Sequence, residues 1–349
     1  MPGLTGGGGH AAKPLAVRWA VGLDDHCSAL AWSGDGGLVA AAALGGPVHV
    51  LDAVTGERKA LLAGHAFGTV AAAWHPREAL LATGGQDGKV RWWDPATATC
   101  TVEADAGADW VEALAWSRDG AWLATAAGKS VRFWTRDGSL VRECASHAST
   151  VTDIAWHPAA PLLASACYGG VTFWSPGGSG APRRLEWKGS VLALAWSPDA
   201  RMLASGNQDA SVHFWYVESG EDMEMAGYPK KVRELSWSAD SRLLATGGSA
   251  DVVVWDCSGK GPAGREPLEL RQHAAAVTQV SFQPRGQLLA SADADGMLAL
   301  WRPGKSNRPR GVASLDGAAT RVAWSSDGKQ LVCATDTGAV AAYVIPRPS

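Results

Sequence analysis

The stretch TVAAAWHPREALLATGGQDGKVRWWD, Thr69 to Asp94, decides the fold. Thr69 to His75 is a short apolar strand, and Pro76-Arg77-Glu78 is turn chemistry. Leu80 to Gly84 reads as a second strand, Gln86-Asp87-Gly88 as a tight turn, and Val90 to Asp94 as a third strand. A fourth follows at Thr99 to Ala104, so the unit is a four-stranded antiparallel meander. Its core phrase is a tryptophan, a short polar turn and a Leu-Ala-Thr/Ser run. The phrase starts eight times, at Trp32, Trp74, Trp116, Trp156, Trp196, Trp237, Phe282 and Trp324, with gaps of 42, 42, 40, 40, 41, 45 and 42 residues. A period near forty with several short strands per unit predicts a radial array of small sheets, none able to bury its apolar face alone.

Composition fits such an array. Hydrophobic residues are 46% and charged residues 19% of 349 positions, enough apolar surface for a shared core. A net charge of −3 gives no whole-molecule attraction to nucleic acid or anionic lipid. The six cysteines, Cys27, Cys100, Cys144, Cys167, Cys257 and Cys333, have no CxxC spacing, which argues for reduced thiols rather than a zinc site or disulfide framework. The N-terminus lacks a basic start and an apolar stretch of signal-peptide length, so a cytoplasmic protein is expected.

The third-strand tryptophans Trp93, Trp134, Trp174, Trp215, Trp255 and Trp301, two of them followed by Asp94 and Asp256, complete a pattern that resembles the WD-repeat β-propeller family. The resemblance covers residues 14–346 and implies an all-β, eight-bladed propeller of four-stranded antiparallel blades. Residues 1–13 and 347–349 read as N- and C-terminal tails. The last copy stops after its third strand, whereas Leu15 to Val21 precedes the first copy without an inner strand of its own. That segment is expected to supply the eighth blade's outer strand and latch the ring, leaving no open sheet edge.

The resemblance also implies a buried hydrogen-bonded tetrad of His, Ser/Thr, Asp and Trp. Two copies match in full: His65, Thr83, Asp87 and Trp93, then His273, Ser291, Asp295 and Trp301. An Asp, a His and a hydroxyl can also make a catalytic triad. Here the set recurs with members missing and is tied to tryptophan, which favours a structural role. His147, Ser165 and Trp174 lack the Asp, and Ser205, Asp209 and Trp215 lack the His.

No GxSxG, HExxH or phosphate-loop motif is present, so no catalytic residue, metal ligand or cofactor is assigned and the chain is expected not to be an enzyme. The polyglycine run ending at His10 is a poor metal site with one imidazole. What remains is the surface. Trp110 and Trp187 sit just before inner strands, and Phe67, Tyr168 and Tyr228 map by register to the same rim, the top. Aromatic anchors of this kind suit peptide docking. The alternative is that they cover blade junctions; both readings stay open for Trp110 and Trp187, and the junction reading is preferred for Tyr228.

Charge on that rim is uneven: Asp24, Asp25, Asp105, Asp109 and Glu112 lie near the first and third blades, and Lys230, Lys231, Arg233 and Arg321 near the sixth and eighth. The basic run from Arg302 to Arg310 is expected to be a linker on the opposite face. The tentative partner surface is therefore Phe67, Trp110, Glu112, Asp153, Tyr168, Trp187, Lys231, Arg233 and Arg321. The function expected is a non-enzymatic interaction scaffold for a protein or peptide, without nucleic acid or membrane partners. It would be a monomeric propeller, alone or within a larger complex. A channel that handles a small molecule or metal is the alternative, with Glu112, Asp153 and Glu234 as its scattered inner-strand acids.

Overall fold

In the second unit the strands Thr69–Trp74, Leu81–Gly85, Lys89–Asp94 and Thr99–Asp105 pair antiparallel in chain order. Small residues dominate the inner strand, and every residue of the second strand is buried. The computed structural model describes residues 12–107, 109–145, 147–259 and 261–346. Residues 1–11 and 347–349 of the expected tails, His10 among them, lie outside that set. All regular structure among the described residues is β.

The strands form seven hydrogen-bonded sheets, not the eight separate blades the repeat spacing predicts. The fourth and fifth repeats share one six-stranded sheet, through the long strands Leu163–Trp174 and Arg183–Trp196. The cause is local. Trp174 Nε1 donates to Ser165 Oγ at 2.8 Å. Nine extended residues would span about 30 Å, so Leu163–Trp174 must double back, and it does so at Tyr168-Gly169-Gly170. Gly169 and Gly170 both have positive φ, 94° and 121°, conformations glycine adopts without steric cost. Arg183–Trp196 pairs on one side with Val171 and Thr172, through Leu185 and Arg184, and further on with Ser205 and Ala204, through Leu194 and Ala195. With no loop to interrupt pairing, the two repeats merge.

Adjacent repeats meet through apolar clusters. Ala82, Val90 and Trp92 of the second pack with Val111, Trp116, Leu123 and Trp134 of the third. The first repeat's Val39, Ala41 and Leu51 pack with Val332, Ala334 and Val340 of the eighth. A belt of indole hydrogen bonds runs beside these clusters. Each phrase tryptophan donates Nε1–H to the inner-strand carbonyl of the preceding repeat: Trp74 to Ala31, Trp116 to Ala73, Trp156 to Ala115, Trp196 to Ala155, Trp237 to Ala195 and Trp324 to Ser281, at 2.8–3.2 Å. Trp32 makes the same bond to Ala323 of the eighth repeat at 3.1 Å. Phe282 has no donor on its ring, and there Ser236 Oγ accepts from the Phe282 backbone N–H at 2.8 Å.

The N-terminal segment spans two repeats. Lys13–Pro14 runs parallel beside Gly311 and Val312, and Leu15 is buried in the cluster between the seventh and eighth repeats. Val17–Gly22 then pairs antiparallel with Ala339–Val344. Trp19 anchors this strand, with its ring buried and Nε1 donating to Ala53 O of the first repeat at 3.0 Å.

Candidate functional site

The polar network of the second repeat forms a chain of directed bonds. Trp93 Nε1 donates to Thr83 Oγ1 at 2.8 Å, Thr83 donates to His65 Nε2 at 2.8 Å, and His65 Nδ1 donates to Asp87 at 2.9 Å. Burial holds the His65 imidazole below its usual pKa, with the Asp87 hydrogen bond opposing the shift. The neutral ring is therefore the one this site accommodates. Its nitrogens are both occupied and its side chain is sealed from solvent, so it has no face to offer a substrate.

In the seventh repeat the carboxylate differs from the one expected. His273 Nδ1 donates to Asp293 at 2.9 Å, not to Asp295, while Ser291 and Trp301 take their expected places. Asp295 is exposed and contributes only its backbone N–H, which also bonds Asp293. The reason lies at the end of the second strand. The second repeat has Gly85 there, where a Cβ would sit 2.3 Å from His65, so the imidazole reaches on to the turn aspartate. Asp293 occupies the equivalent place and takes the imidazole directly.

Other repeats fill the histidine's place, nine residues before the phrase aromatic, by other means. His147 keeps Ser165 at 2.7 Å, and the Lys129 carbonyl replaces the missing Asp at 3.0 Å. In the sixth repeat Tyr228 stands there: its hydroxyl donates to Thr246 Oγ1 at 2.8 Å and accepts from Trp255 Nε1 at 2.7 Å. Trp187 fills the fifth place, half-buried, its ring 4.0 Å from that of His213. Gly107 leaves the third open, and the Arg132 guanidinium enters to donate to the Ala106 carbonyl. Sequence reasoning missed this series. The fixed nine-residue offset to Trp196 and Trp237 was the available signal.

Strand pairing places the turn after each second strand and the connection into each inner strand at one face, since Thr69 opposes Gly85 and Val111 opposes Ala127. Phe67, Trp110 and Tyr168 lie there, 85%, 51% and 55% exposed. Phe67 is held at a φ of 65°, a left-handed conformation that is uncommon for a bulky residue. The other exposed large hydrophobic side chains among the described residues are all aliphatic. Lys231 and Arg233 are exposed beside the sixth inner strand, and Glu112 is exposed on the third.

Trp187 and Tyr228 turn into the blades instead. Asp153 is committed to the backbone: its carboxylate accepts from Ile154 N and Leu194 N, both at 2.8 Å, and burial raises its pKa to about 6. Glu234 is likewise raised by burial, and the Arg321 guanidinium is lowered by it. Among the described residues no group of three or more His, Cys, Asp or Glu is placed to hold a metal ion.

The fold has a counterpart among solved structures. A crystal structure of the computationally designed Ika8 protein superposes with a TM-score of 0.79 over 96% of this chain and 100% of that one, at 21% identity, a likeness of fold. Coronin-7 from Homo sapiens is 28% identical over 138 residues, 36% of this chain, and Coronin-7 from Pongo abelii is 28% identical over 137. The match spans only 14% of the length of those relatives. The WD domain, G-beta repeat family matches residues 56–94, 99–135, 138–175, 183–216, 223–256 and 264–302, and with more than half its length so matched, the chain belongs to that family.

Proposed function

We propose that this protein is a non-enzymatic scaffold that binds a protein or peptide partner on the face carrying Phe67, Trp110 and Tyr168. One observation carries the reading: three aromatic side chains that the repeat does not require stand exposed on consecutive repeats of a single face. The Asp–His–hydroxyl sets that would suggest hydrolysis are buried and bonded to tryptophan, which favours scaffold over enzyme. Glu112 adds an acid on the third repeat beside Trp110, and Lys231 and Arg233 add cations on the sixth. The eight repeats, arranged in seven sheets, close into one ring with Val17–Gly22 as the final outer strand. The Trp32 bond to Ala323 and the Trp19 bond to Ala53 support that closure. Six free thiols favour a reducing compartment, the cytoplasm.

Photo-crosslinking residues introduced singly at positions 67, 110 and 168 test the surface in native lysate, with position 305 as a control outside this face. The expected result is a shared crosslinked band at all three positions and none at the control. Crosslinks of equal intensity at position 305 would remove the assignment.

A further inference from the structure

At two positions where several other repeats carry an aspartate the seventh repeat carries an arginine, and both arginines line one cavity. Five repeats place an aspartate two residues after the serine that follows the phrase tryptophan: Asp35, Asp119, Asp199, Asp240 and Asp327. Each accepts from that serine at 2.6–2.7 Å. The seventh repeat has Arg285 there, as the second has Arg77. At the end of the third strand, Asp52, Asp94 and Asp256 accept backbone N–H groups of the next turn at 2.9–3.0 Å. The seventh repeat has Arg302 there.

The first turn does not depend on its arginine. Gln283 replaces the serine, accepting from Leu288 N at 3.3 Å and donating to Gly328 O at 2.6 Å. Arg302 reaches out of its own turn to Gln287 Oε1, at 3.1 Å from Nε and 2.7 Å from Nη2, so a neutral amide fixes its orientation. The basic run expected to be a linker is ordered as well: Ser306–Ser314 is a strand paired with Met297–Arg302, and it carries Arg310 to the same place.

Arg285, Arg302 and Arg310 line a cavity of about 360 Å³ whose apolar side is Leu288 and Ile345. No carboxylate occurs among the described residues that line it. Gly286 and Gln287 also line a neighbouring cavity of about 570 Å³, where Arg242 and Lys305 stand with Asp240 and Asp256. A volume of this order is that of a small-molecule site, and guanidinium groups bind tetrahedral oxyanions with charge-assisted hydrogen bonds. We propose that this cavity binds a small phosphorylated molecule. Its phosphate monoester is held by Arg285 and Arg302, and its apolar part lies against Leu288 and Ile345.

Calorimetric titration with phenyl phosphate tests this, with inorganic phosphate and phenol as controls. The test variant is Arg285→Asp/Arg302→Asp, which installs the aspartate that five other repeats carry at the first position and three at the second, and is expected to melt with the wild type. Should it melt lower, Arg285→Gln/Arg302→Gln takes its place. The expected result is that phenyl phosphate binds the wild type more tightly than either control, and that the variant loses about tenfold or more in affinity. No binding at millimolar phenyl phosphate, equal binding by the variant, or phenol binding as tightly would each overturn the proposal. So would a single-stranded oligonucleotide that binds through these arginines when phenyl phosphate does not.

Discussion

Asp293 and Asp295 stand two residues apart, yet only the first supports a buried imidazole. Replacing Asp293 with Ala leaves the His273 Nδ1–H buried without an acceptor and should cost about 1–3 kcal/mol in urea unfolding. Asp295→Ala, at an exposed carboxylate, should stay within about 0.5 kcal/mol. Equal losses would mean the bond to His273 does not carry the stability. Tyr228→Phe removes one hydroxyl that serves both Thr246 and Trp255, so a loss of similar size, about 1–3 kcal/mol, is expected from the same measurement. The tetrad of the second repeat was legible because each member sits at the family's spacing. That of the seventh was not, because the choice between two aspartates depends on whether a glycine or a side chain ends the second strand. Tyr228 was legible only as a junction residue, since a tyrosine in a histidine's place is recognised by its partners, not by its type.

The repeat phrase made four strands per unit plain at the scale of elements, and the termini suggested which strand was out of order. The merger of the fourth and fifth repeats was hidden, because Lys188-Gly189-Ser190 reads as a connection between blades while the strand Arg183–Trp196 runs through it. Nor could spacing reveal that the basic run of the seventh repeat is ordered, since Pro309 and Gly311 read as linker residues while the strand they belong to is set by pairing with Met297–Arg302. The segment Val17–Gly22 yields a direct prediction. Deleting residues 1–22 strips the outer strand from Ala339–Val344 and exposes the pockets that hold Leu15 and Trp19, each worth about 1.5–3 kcal/mol of burial. Thermal melting should show a large drop in Tm, and an unchanged Tm would mean the last sheet is sealed by other contacts.

Across the whole molecule, buried titratable groups give stability a pH dependence. Burial depresses His65, His147, His213 and His273 below 6.5. The unfolded chain therefore binds more protons as pH falls through 6.5, and stability should decline on acidification. Asp153 acts in the opposite sense. Its pKa, raised from 3.8 to about 6, favours the folded state at low pH, and that contribution is lost as pH rises through about 6. Melting curves between pH 4 and pH 7 should show acid destabilisation that is steeper in Asp153→Asn than in the wild type. Parallel curves would mean Asp153 titrates alike in both states. The propeller architecture was legible in the sequence because a forty-residue period admits few folds, whereas the partner surface depends on which rim aromatics remain exposed, a matter of packing. The most direct test of the scaffold reading compares affinity capture from native lysate by the wild type and a Phe67→Ala/Trp110→Ala/Tyr168→Ala variant of equal Tm. The account predicts a partner held by the wild type and lost by the variant; the same partner retained by both would contradict it.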